Sequence, residues 1–177
     1  MPPQVLIAFC TRSGSTQEVS EEIGRTIDGV GVTVEVKPMA EVKSIPEGQT
    51  VVLGVALYIG RFPKQFHEFV ARFKRELSEA RPLVFVLGPT ENDPKHFATA
   101  EEQARKELEK YPWLHPADLR ILGGKFDPHT VKLSFPFSLV MMLPANPIKK
   151  MPPSDVRDWE LIHTWARAIA ERCMPLV

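Results

Sequence analysis

Cysteine is scarce in this chain. Cys10 and Cys173 are the only two, they lie near opposite ends, and they form no CxxC or metal-type spacing. That argues against a disulfide framework and sets a reducing cytoplasm as the expected compartment. Net charge is missing too: 22 acidic residues balance 22 basic ones, so neither nucleic acid nor an anionic membrane is expected as the main partner. No basic-then-apolar leader opens the chain, and no apolar run reaches the roughly 18–20 residues that a membrane helix needs. His67, His96, His115, His129 and His163 show no HxxH or HExxH spacing, which speaks against a metal site. GxSxG is absent, and no His/Asp order supports a hydrolytic triad.

What is present suits one α/β domain spanning residues 1–177, with 44% hydrophobic content to form its core. Val5–Phe9, Val51–Ala56 and Leu83–Leu87 are short, continuously apolar runs, the pattern of strands covered on both faces of a parallel sheet. Val32–Lys37 and Leu119–Ile121 alternate instead, as edge strands do. Val19, Ile23 and Ile27 stripe a helix that Gly29 and Gly31 end. Pro63 suits a first helical turn, with Phe66, Phe69, Val70, Phe73 and Leu77 along one face after it. Thr99 and Glu102 form a capping-box pattern ahead of Ala100, Ala104, Leu108 and Tyr111. Ile162, Trp165, Ile169 and Cys173 stripe a last helix. Between the second and third strands only Pro38–Glu47 is left for a helix. The expectation is a doubly wound, five-stranded parallel sheet, order 2-1-3-4-5, with helices on both faces.

In such a sheet, ligands bind beyond the carboxyl ends of the strands, at the switch between the first and third. Thr11, Arg12, Ser13, Gly14, Ser15 and Thr16 leave the first strand there and run into a helix N-terminus. Free amides and the helix dipole at that point favour a phosphate, and the hydroxyls add donors. No Gly-Lys-Ser/Thr follows and GxGxxG is absent, so a tightly held monophosphate fits better than a hydrolysed triphosphate. Plain helix capping by Ser13 or Ser15 is the competing explanation.

Thr11–Thr16 matches the flavodoxin phosphate-loop pattern Ser/Thr-x-Ser/Thr-Gly-x-Thr at each fixed position. "VVLGVALYIGRFPKQFHEFVARFKREL" resembles the third strand, flavin loop and helix of a branch of that superfamily. The branch includes the menaquinone-dependent protoporphyrinogen dehydrogenases and other flavodoxin-domain proteins. The resemblance implies that Thr11–Thr16 hold the phosphate of FMN. It implies that Ala56, Leu57, Tyr58, Ile59, Gly60 and Arg61 lie along the isoalloxazine, with Tyr58 either stacked on the ring or simply packed. It further implies that Gly88, Pro89, Thr90, Glu91 and Asn92 cover the other side. Cys10, without a partner cysteine nearby, reads as a buried small hydrophobe.

Many of the 17 prolines fall after Phe126, in an apolar insertion at about 126–153. Its stretch Lys132–Pro153 carries Leu133, Phe135, Phe137, Leu139, Val140, Met141, Met142 and Leu143, then Lys149 and Lys150. Three uses compete: core on the sheet end, an apolar substrate or quinone site, or a peripheral membrane or subunit contact through 133–150. Two functions follow from the resemblance. One is an FMN-dependent oxidoreductase passing electrons between an apolar or quinone-like partner and a second donor or acceptor, the protoporphyrinogen dehydrogenases being one case. The other is a flavodoxin-type carrier without its own substrate, for which a charge-balanced chain supplies little docking steering.

Overall fold

The computed structural model describes residues 4–130 and 150–174. Five parallel strands run in the order β2-β1-β3-β4-β5: β1 Val5–Phe9, β2 Val34–Pro38, β3 Thr50–Ala56, β4 Leu83–Leu87 and β5 Asp118–Leu122. The three continuous apolar runs are the central strands, and the two alternating ones are the edges. Pairing places Phe9 beside Gly54, Ala56 beside Leu87, and Leu87 beside Leu122. The loops after β1, β3, β4 and β5 therefore leave from one edge of the sheet.

Successive strand residues alternate between two cores, as a pleated backbone dictates. Leu6, Ala8, Leu53, Val55, Val84 and Val86 face α2 (Lys64–Arg72), α3 (Lys74–Ala80) and α4 (Pro94–Leu108). Val5, Ile7, Val52, Phe85 and Leu87 face α1 (Ser15–Asp28) and α5 (Trp159–Cys173). Gly54 makes room for the Phe85 ring: a Cβ there would stand 2.4 Å from Phe85 Cζ.

Three local expectations need correction. Helix α4 starts at Pro94 and not near Thr99, because Asp93 caps it, its carboxylate accepting from Lys95 N–H at 2.8 Å with proline at the first helical position. Thr99 and Glu102 are exposed mid-helix residues. The apolar face from Phe66 to Leu77 belongs to two helices that meet at Phe73 (φ −106°, ψ 33°), while Pro63 caps the first from outside. Backbone bonds from Phe73 to Phe69 and from Leu77 to Phe73 carry the stripe through the joint. The Pro38–Glu47 segment holds only a 3-10 turn, Met39–Glu41.

β6 (Lys125–Phe126) and β7 (Ser154–Asp155) pair antiparallel beside the sheet. They bracket the proline-rich insertion, whose residues 131–149 lie outside the described residues, while 150–153 are exposed.

Candidate functional site

The loop from Thr11 to Thr16 folds on its own backbone. Thr11 Oγ1 accepts the Gly14 N–H at 2.9 Å, and Gly14 adopts φ +92°, a conformation that suits glycine. Gly14 is the N-cap of α1, and no side chain among the described residues caps this helix. The capping explanation for Ser13 and Ser15 thus has no bond behind it. The first intrahelical bond runs from Glu18 N–H to Gly14 O, so the amides of Ser15, Thr16 and Gln17 stand free of the ladder. Thr16 is 0% exposed, and its hydroxyl has no partner among the described residues. A buried unpaired hydroxyl costs about 1–3 kcal/mol, so a group that accepts from it would recover that loss.

The loop after β3 docks on the first. Tyr58 Oη accepts the Arg12 N–H at 3.2 Å, and the Arg12 guanidinium lies 4.6 Å from the Tyr58 ring centroid. Burial pushes the Tyr58 phenol up, against the opposing effects of the Arg12 amide and the Ser13 hydroxyl. Tyr58 and Arg61 exchange both backbone bonds, at 2.9 and 3.1 Å, closing a two-residue hairpin turn. Ile59 (φ +51°) and Gly60 (φ +71°) occupy its centre, both left-handed as a type I′ turn requires. Ile59, a β-branched residue in that strained region, is 83% exposed.

The loop after β4 completes the group. Gly88, Pro89 and Thr90 line one open cavity of about 310 Å³ together with Leu57, Ile59 and Gly60. Helix α4 contributes His96, Thr99, Ala100 and Gln103 to the same cavity. Gly124 N–H donates to Pro89 O at 2.7 Å and ties this loop to the exit of β5. Of the other sequence-predicted residues, Ala56 is the buried end of β3, and Arg61 is exposed outside the cavity lining. Glu91 is exposed, 3.5 Å from His96, and Asn92 lines a separate groove with Asp155–Trp159 and Leu161. The structure thus joins the first loop to the second through Arg12 and Tyr58, and the second to the third through the cavity.

Sequence reasoning missed the supports of these loops. Glu18, in the first turn of α1, binds Arg157 Nη1 at 2.7 Å and Lys125 Nζ at 3.3 Å, which fastens the β6–β7 ribbon beside the first loop. Arg157 also pairs with Asp155 and stacks over Trp159. Glu107, on the buried face of α4, accepts from Phe62 N–H immediately after the turn. Its place between apolar Ala104 and Leu108 is a signal the sequence does carry: a carboxylate inside an apolar stripe. Burial pushes the Cys10 thiol up to about 12, against the opposing charge of Arg12, so it stays protonated at neutral pH. Among the described residues no group of three His, Cys, Asp or Glu side chains could hold a metal ion, and no helix is long and apolar enough to cross a membrane.

A family model described as a flavodoxin domain matches residues 6–135. A protoporphyrinogen IX dehydrogenase [quinone] of Escherichia coli strain K12 is 25% identical over 175 residues, covering 94% of both chains. Oxidised flavodoxin 1 of Bacillus cereus superposes with a TM-score of 0.58 at 16% identity, over 97% of this chain and 99% of that one. Flavodoxin 2 of the same organism gives 0.55 at 18%, over 96% and 99%.

Proposed function

The chain belongs to the flavodoxin-domain family, and from that premise we propose that it is an FMN-dependent oxidoreductase whose electron partner is a small apolar or quinone-like molecule. The observation that carries the cofactor reading is the buried Thr16 hydroxyl, without a partner among the described residues, beside the first-turn amides of α1 that stand free of the helical ladder. This is a donor set for a dianionic phosphate: amides, hydroxyls of Thr11, Ser13, Ser15 and Thr16, the helix dipole and the Arg12 cation. The residues present fit the group. When bound, FMN supplies the reversible uptake and release of electrons, which no side chain of this site provides.

The chain's own residues bind and orient. Thr11–Thr16 would hold the phosphate, while Leu57–Gly60 and Gly88–Thr90 would offer backbone amides and apolar surface to the ring from the two sides of their shared cavity. The partner preference rests on two features. The balanced charge gives little field for steering a charged protein partner, and the exposed Ile59 presents an apolar surface at the cavity. The name of the Escherichia coli relative, a protoporphyrinogen IX dehydrogenase [quinone], agrees with that class. A cytoplasmic site of action is part of the same proposal.

Reduced, FMN-loaded protein mixed with a water-soluble quinone tests the partner. We expect reoxidation that saturates with quinone concentration. Fast reoxidation only through a second redox protein would make this chain a carrier and overturn the oxidoreductase reading.

A further inference from the structure

The turn Tyr58–Arg61 is held against local preference. Its first central position, left-handed, is taken by Ile59, where Asn, Asp or Gly would sit without strain, and the side chain gains little burial in return. Strained backbone persists only where surrounding structure over-determines it. Helix α4 does so at two points one helical turn apart. Gln103 lies against Gly60, so closely that a Cβ there would meet its Nε2 at 3.0 Å. Glu107 Oε2 accepts the N–H of Phe62, the residue after the turn, at 3.2 Å.

Glu107 is otherwise an unlikely occupant of its place. It is 6% exposed, on the face of α4 that also buries Ala100 and Ala104. An apolar side chain would fill that space without the cost of desolvating a carboxylate. The chain keeps the acid and satisfies it: Lys110 Nζ stands 2.5 Å from Oε1, and His67 Nε2 3.2 Å from Oε2. His67 is fixed in turn by Tyr111, with Nδ1 2.6 Å from the phenol oxygen. Two helices and a loop are thus organised around one carboxylate whose only backbone bond among the described residues goes to the exit of the turn. Burial opposes the charge of Glu107, yet the bonds from Lys110 and Phe62 N–H outweigh it and hold the carboxyl below its ordinary range.

We infer that Glu107 is a positioning residue, which sets the conformation of the Tyr58–Arg61 turn through the Phe62 amide and so prepares the loop that faces the cofactor. The part concerning the cofactor rests on the FMN reading above; the part concerning the turn does not.

Three variants test it: Glu107→Leu, which fills the space but accepts no bond; Glu107→Gln, which keeps an acceptor oxygen without the charge; and Glu107→Asp, which keeps the charge but withdraws it by one methylene. Hydrogen exchange of the Arg61 amide, whose bond to Tyr58 O closes the turn, is read in the cofactor-free protein beside the amide of Leu53 in β3. Glu107→Leu is expected to speed Arg61 exchange about tenfold or more relative to Leu53, and to weaken FMN binding about tenfold. Glu107→Gln should stay within about threefold of the parent in both. Should Glu107→Leu not fold, Glu107→Asp makes the same comparison. Parent-like Arg61 exchange in Glu107→Leu, or a Glu107→Gln as impaired as Glu107→Leu, overturns the inference. If no variant and not even the parent binds FMN, the cofactor reading fails, and the Arg61 rates still decide the role of Glu107.

Discussion

Thr16 places a hydroxyl in a fully buried position with no partner among the described residues. Thr16→Val keeps its shape and removes that oxygen. Two effects of opposite sign follow: the cofactor-free protein should unfold at the same or higher urea concentration, while FMN affinity falls about tenfold or more, the worth of one bond to a charged phosphate. A variant that loses stability and keeps affinity would make the hydroxyl structural. The acids give a second residue-scale expectation. For Glu18, Glu107 and Asp118, burial raises the pKa but hydrogen bonds outweigh it, from Arg157 and Lys125, from Lys110 and Phe62 N–H, and from Trp165 and Arg120. Asp155 is lowered first by its bond to Arg157. Each folded value lies below the unfolded one, so the stabilisation is full above the ordinary carboxylate range near pH 4 and is lost as pH falls through the folded values. Urea melts should therefore be nearly flat from about pH 5 upward and weaken steeply below about pH 4. Stability that rises on acidification would contradict the sign.

The turn between β3 and α2 shows what its element demands of one residue. Replacing Ile59 by Asn relieves a β-branched residue at φ +51°, and the unfolding free energy should rise by about 1 kcal/mol. A drop in stability on urea unfolding would mean that Ile59 packs rather than strains. Elements were legible from sequence in proportion to how local their cause is. The central strands follow from Val, Ile and Leu runs that both helix layers cover, and the edges from alternation. The phosphate-loop pattern followed from six consecutive residues. The start of α4 is obscured in the sequence, because the Thr99–Glu102 pattern competes with the Asp93–Pro94 pair that caps the helix. Glu107 stands out in the sequence as an acid in an apolar stripe, but its partner does not, because the bond goes to a backbone amide distant in sequence, and β6 and β7, two residues each, are too short to carry a period.

At the scale of the whole molecule, four loops converge because register brings the carboxyl ends of β1, β3, β4 and β5 to one edge. A ligand that binds only this assembled edge stabilises the entire fold by mass action, about 2.7 kcal/mol at a hundredfold excess over its dissociation constant. The melting temperature should thus rise with FMN concentration. The most direct measurement is a titration of the cofactor-free protein with FMN and, separately, with riboflavin, which has the same ring and no phosphate. On the FMN reading, one FMN binds per chain at micromolar concentration or below, and riboflavin binds more weakly by about a hundredfold or more, since several charge-assisted bonds are lost with the phosphate. Equal affinity for the two, or no binding of either, would contradict it.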